Sequence, residues 1–184
     1  MKTCRFCDIS NGMSKSRADT IFARNNKYFA ISSVGALVEG WSLIVPHEHC
    51  CSMKNIYSDK SFIEFSNTII KALKDCYGPL IAFEHGPNKE GSETSCGTDH
   101  AHIHLVPYHS IASLLDNTGL SWQACYAHEV NDIVGNNEYL FYMEINETLE
   151  KSAGRVHILE KPISQFFRRI IADDLNSVYT SNVV

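Results

Sequence analysis

The stretch "DHAHIHLVPYHS", residues 99–110, places four of the chain's nine histidines within twelve positions. Three of the four alternate with apolar residues. Successive side chains on a strand point to opposite faces, so His100, His102 and His104 are expected on one face, with Ala101, Ile103 and Leu105 turned into a core. His100 and His104 are then about 13 Å apart along the backbone, too far to converge readily on one metal ion. Such a row suits an elongated anionic ligand, such as a phosphate chain, better than a lone ion.

Upstream of this strand, "TIFARN" and "YFAISS" read as two short strands joined by the turn-forming "NNK", and "WSLIVP" as a third strand closed by Pro46. In "DKSFIEFSNTIIKALKDCY", residues 59–77, Phe62, Phe65, Ile69, Ile70 and Leu73 fall at helical spacing behind Ser58 or Asp59 as N-cap. "PLIAFEHGP" and "HAHIHLVP" follow as strands. The polar, glycine-bearing loop between them, "NKEGSETSCGTD", is long enough to be functional on length alone. Further on, "EYLFYMEI" and "GRVHIL" suggest another hairpin, and "SQFFRRIIADDLN" a closing amphipathic helix. The expected class is α+β, an antiparallel sheet with helices packed on one side. With no low-complexity linker, residues 1–184 read as one domain, with a core over about 1–112 and an extension over about 113–184 packed on it.

Composition limits the function. At 184 residues and 44% hydrophobic, the chain can bury a sizeable core. Its net charge of −5 does not draw polyanions to the whole surface, so a nucleic-acid partner is not expected and any phosphate must be held locally. The first residues lack the apolar core of a secretion signal and no stretch is apolar for the ~20 residues of a membrane span. A cytoplasmic protein without a membrane partner is therefore expected. Seven cysteines, an odd number, argue for metal ligands or free thiols over a disulfide framework. Cys50 and Cys51 read as packing residues.

The run H-A-H-I-H-L-V at 100–106 resembles the signature of the histidine triad family. "GWSLIVPHEHC" is similar to the family's strand and Pro-x-x-His segment, and "CRFC" to the cysteine pair of its zinc-containing members. The resemblance covers roughly residues 4–109. It implies a hydrolase cleaving at the α-phosphate of a small nucleotide, purine favoured, through a nucleotidyl-histidine intermediate on His102. His104 would contact phosphate oxygens and assist the leaving group. A nucleotidyltransferase or phosphorylase, or a nucleotide-binding module without turnover, are the alternatives. A further one is a metalloenzyme using His100 and His102 as an H-x-H chelate. The resemblance also implies a homodimer.

CxxC spacing lets Cys4 and Cys7 reach one tetrahedral ion, and the resemblance completes a structural zinc set with His49 and His100, His47 being the competing ligand. The family's usual Gly-Gln-Ser/Thr run before the triad is replaced by "SCGTD", where Ser95, Gly97 and Thr98 remain candidate phosphate donors. Glu84, at the end of the preceding strand, is a candidate for a ribose hydroxyl or a solvated surface residue. His109 is a candidate fourth phosphate contact or an exposed turn residue. In the closing helix, Gln165, Arg168 and Arg169 are candidate ligand contacts, since arginine binds phosphate bidentately, beside a core stripe of Phe167, Ile170, Ile171 and Leu175.

Overall fold

A computed structural model describes residues 4–176. A short helix, α1 (Arg5–Ser10), precedes strands β1 (Ile21–Arg24), β2 (Tyr28–Ser32) and β3 (Ser42–Pro46). The long helix α2 (Lys60–Tyr77) then leads to β4 (Leu80–Gly86) and β5 (Ile103–Pro107). The remainder comprises α3 (Ala112–Asp116), β6 (Gln123–Cys125), α4 (Val130–Val134), β7 (Tyr139–Ile145), β8 (Gly154–Ile158) and α5 (Phe166–Asp174). The strands form one eight-stranded sheet in the order β1-β2-β3-β5-β4-β7-β8-β6. Every pairing is antiparallel.

Helix α2 begins where the sequence places it, with the Asp59 carboxylate accepting from the Ser61 amide. Its stripe of Phe62, Phe65, Ile69, Ile70 and Leu73 packs against Leu80, Ala82, Ile103 and Leu105 on one sheet face. The expected α+β class and antiparallel sheet are thus present. On the other face, Ile81, Phe83 and Val106 meet Phe167 and Ile171 of α5, while Phe6 and Ile9 of α1 meet Phe29, Ile31, Leu43 and Val45. Two faces need covering because β4 and β7 are apolar on both sides, five of their residues in succession being buried.

β7 pairs with β4 over seven residues, from Leu80↔Ile145 to Gly86↔Tyr139. The extension therefore continues the sheet and, through α5, roofs the face that carries the histidines. β4 has β5 on one edge and β7 on the other.

Candidate active site and metal centre

The regular part of β5 begins only at Ile103. Before it, the His100 amide bonds to the Thr98 carbonyl and the Ala101 amide to the Cys50 carbonyl, so the first two triad positions lie in a bent lead-in. The alternation nevertheless holds. Ala101, Ile103 and Leu105 enter the α2 core, while His102 and His104 face the other way with ring centroids 5.0 Å apart.

His100 turns toward the N-terminus. Its Nδ1 is 3.3 Å from the Cys4 sulfur and 3.6 Å from that of Cys7, and His49 Nδ1 is 3.4 Å from Cys7 Sγ. All four donor atoms lie within 4.8 Å of one another. A tetrahedral ion bound at ~2.3 Å to sulfur and ~2.0–2.1 Å to nitrogen separates those atoms by about 3.6 Å, so the set is close to the size such an ion requires and small side-chain shifts would close it around one. The outer ring nitrogens are held as metal ligands require: His100 Nε2 bonds to the Pro46 carbonyl at 2.9 Å, and His49 Nε2 lies 3.3 Å from a Glu90 carboxylate oxygen. Burial and the adjacent Cys4 push the Cys7 thiol up to about 11, and burial brings His100 down to about 4. A bound cation would reverse the balance for the thiols. Of the two histidines in "PHEH", His47 is engaged elsewhere, with Ser10 Oγ at 2.7 Å and the Asn25 carbonyl at 3.2 Å. It is not a ligand.

His102 Nδ1 bonds to the His100 carbonyl at 2.8 Å. A carbonyl only accepts, so Nδ1 carries the proton and Nε2 the lone pair. Both ring nitrogens of His100 are already engaged, which removes the His100–His102 chelate of a metal-water enzyme. His104 has the opposite tautomer. The buried Trp41 indole N–H donates to its Nδ1 at 2.9 Å, so its proton is on Nε2. Its ring stacks on Phe83 with centroids 4.5 Å apart. Burial, then the charge of Arg168, lowers the His102 pKa, and burial with neighbouring His102 and Arg168 takes His104 well below the ordinary value. Both imidazoles are neutral at pH 7: one offers a lone pair, the other an N–H.

Arg168 comes from α5. Its guanidinium lies 4.6 Å over the Trp41 ring and donates to Ser33 Oγ at 3.0 Å and to the Gly35 carbonyl. Arg169, one position on, turns outward to the Ser164 carbonyl. Gln165 occupies a left-handed conformation, φ 57°, and its amide donates to Cys96 Sγ at 3.1 Å, joining α5 to the loop before the triad.

That loop differs from the sequence reading. Ser95 Oγ donates to the Ser92 carbonyl at 2.7 Å and the Thr98 amide to the Ser95 carbonyl, so these donors serve the loop's own turn, while Gly97 has the left-handed φ of 88° that glycine adopts freely. Ser95 and Gly97, with Asp99 and Ser164, line a cavity of about 300 Å³ beside the cleft. A larger one of about 540 Å³, lined by Trp122, Tyr142 and Arg155, lies in the extension and contains no histidine.

Two candidates are corrected. Glu84 is fully buried on the α2 face, where its carboxylate accepts from the Met53 amide, Tyr57 and Tyr139, each at 2.6 Å. It cannot reach a ribose held over the histidines, because strand parity turns it away from them. His109 is exposed past the far end of β5, seven residues or about 23 Å of extended chain from His102, and is no phosphate contact. Two residues not anticipated stand in the cleft instead. One is Trp41. The other is His85, which alternates with Phe83 on the histidine face. The "FEH" run offered the choice between Glu84 and His85, and only the register decides it.

No family model matches the chain, and no curated protein matches it. Among solved structures it is similar to a HIT family hydrolase from Clostridium thermocellum, at 22% identity and TM-score 0.42 over 61% of this chain and 96% of that one. It is similar also to a histidine triad protein from Clostridium difficile, at 20% and 0.44 over 60% and 94%. A third is a HIT family protein from Bacillus anthracis, at 19% and 0.46 over 66% and 82%. All three carry the histidine triad name. The likeness is remote in sequence.

Proposed function

We propose that this chain is a histidine triad nucleotide hydrolase that cleaves at the α-phosphate of a small nucleotide through a covalent intermediate on His102. The observation that carries the reading is the pair of opposed tautomers: His102 is held with its Nε2 lone pair available, and His104 beside it with an Nε2–H. In the first step the His102 Nε2–phosphorus bond forms and the phosphorus–leaving-group bond breaks, its electron pair departing with the leaving group. The positive charge left on the imidazole is shared with the His100 carbonyl through Nδ1–H. The His104 Nε2–H hydrogen-bonds a phosphate oxygen, where negative charge builds. Water then displaces His102 and releases a proton.

The Cys4, Cys7, His49, His100 set is proposed to hold zinc in a structural role, since two thiolates and two imidazoles close the tetrahedron and leave no position for substrate. It ties α1, the end of β3 and the start of β5 together, and so positions Phe6, whose ring meets His102 edge-on at 5.3 Å. A homodimer, a purine nucleotide and a cytoplasmic setting complete the proposal. Any symmetric pairing would use a surface other than the edge of β4, which β7 already covers. Among the described residues, no helix is long and apolar enough to cross a membrane.

The test is incubation with a panel of dinucleoside polyphosphates, nucleoside phosphoramidates, acyl-adenylates and nucleotide sugars, with products read by mass spectrometry. Wild type should release a nucleoside monophosphate and, when quenched in turnover, carry an acid-labile nucleotidyl adduct on His102. His102→Asn should lose turnover by several orders of magnitude while keeping its thermal stability. A transferase would instead pass the nucleotidyl group to added phosphate. Recovery of every compound intact, with a nucleotide raising the melting temperature, would leave a binding module.

A further inference from the structure

We propose that His85 hydrogen-bonds, through Nε2, a second phosphate of the substrate, adjacent to the one His102 attacks. The cleft would thereby select nucleotides whose α-phosphate is followed by another phosphate. The inference rests on the nucleotide reading above and specifies its substrate class.

Phe83 pairs with His104 across β4 and β5, so the next same-face residue of β4, His85, stands beside His102. The ring is held edge-on between Phe83, at 6.0 Å, and Phe167 of α5, at 5.2 Å. Its Nε2 is buried and has no hydrogen-bond partner among the described residues. A buried polar nitrogen left unpaired is costly, and such groups in native proteins call for a specific explanation. A phosphate oxygen supplies one.

The surroundings give the direction. On one side of His102 stands the apolar ring of Phe6. On the other lie His85 and the arginines of α5, with His102, Arg168 and Arg169 all acting electrostatically on the His85 ring. Burial first, with neighbouring His102, Arg168 and Arg169, takes its pKa down to about 3, so the ring is neutral and can present an N–H to an anion without the desolvation cost of a buried cation. A phosphate chain anchored at His102 gains by running toward α5 and loses by running toward Phe6. The Glu84 carboxylate does not oppose it, because it points through the sheet to Tyr57 and Tyr139.

Binding is measured by calorimetry for AMP and for the α,β-methylene analogue of ADP, which cannot be cleaved between its phosphates. Wild type should bind the diphosphate at least about tenfold more tightly than the monophosphate. In His85→Ala that gap should shrink to within about threefold, and in His85→Gln, which keeps an N–H donor at similar reach, it should partly return. Thermal melts and metal content of the variants report whether the fold is intact; should His85→Ala fail to fold, the His85→Gln gap, narrower than wild type, carries the decision. A gap that survives both substitutions, or wild type binding the two nucleotides equally, overturns this inference alone. Wild type binding neither overturns the nucleotide reading itself.

Discussion

Trp41→Phe isolates the hydrogen bond that sets the His104 tautomer. The indole N–H donates to His104 Nδ1 at 2.9 Å inside a cluster where Trp41 is 1% and His104 6% exposed. Phenylalanine keeps an aromatic ring against Phe83, which Trp41 meets edge-on at 5.8 Å, and beneath the Arg168 guanidinium. It removes the donor. With either tautomer Nδ1 is then a buried group without a partner, at about 1–3 kcal/mol. That loss appears in unfolding free energy, with a smaller addition from the lost ring volume. It also unlocks the tautomer, and a population with the proton on Nδ1 presents a lone pair, not a donor, to the phosphate. Loss of one such donor, at ~1.5–3 kcal/mol, predicts a roughly tenfold to hundredfold fall in turnover. Nitrogen-15 NMR of the imidazoles reads the cause directly: His104 should show an unprotonated Nδ1 and protonated Nε2 in wild type, and His102 the reverse. The burial that takes His104 well below its ordinary pKa predicts that its signals do not titrate between pH 5 and 8. A wild-type His104 protonated on Nδ1, or a Trp41→Phe protein with unchanged tautomer and turnover, would refute the argument.

Protein purified without chelators should carry about one zinc per chain, and stripping it, or Cys4→Ser or Cys7→Ser, should lower the melting temperature and speed amide exchange in α1; metal analysis finding none would remove the zinc assignment. Arg168→Ala should raise KM by about tenfold to a hundredfold, ~1.5–3 kcal/mol, whereas Arg169→Ala, which turns outward to the Ser164 carbonyl, should stay within about twofold; equal effects would mean that α5 sits otherwise. For Glu84, burial raises the carboxyl pKa to about 7, against the lowering pull of the Met53 amide and the two tyrosines. The native state then holds a proton that the unfolded chain has already released. This contribution is full below the ordinary carboxylate pKa and is lost as pH rises to about 7, by roughly 3 kcal/mol. The buried histidines, whose pKa values are lowered, act in the opposite sense below their ordinary value, so the slope is read as a difference. In denaturant melts between pH 4.5 and 8 the stability of wild type relative to Glu84→Gln should fall with pH, and a pH-independent difference counts against it.

The sequence by itself determined whatever rests on local periodicity and local chemistry. The two-residue alternation of 100–105 put the triad on one face and Ala101, Ile103 and Leu105 in the core, and the 3.6-residue stripe over 59–77 gave α2 with its Asp59 cap. CxxC spacing, read with a family resemblance, named the four residues that converge in one cluster able to hold a metal ion. Tertiary structure alone decided what depends on which strand lies beside which. Parity in "FEH" could not be set without the β4–β5 register, and that register buries Glu84 and brings His85 beside His102. Trp41 meets His104 across 63 residues, and Arg168 meets the loop after β2 across 133, contacts that no local window contains. The place of the extension was equally hidden. β7 reads as an apolar strand in any sheet, and only its pairing along the whole of β4 carries α5 over the histidine face, where Phe167 and Arg168 complete the cleft.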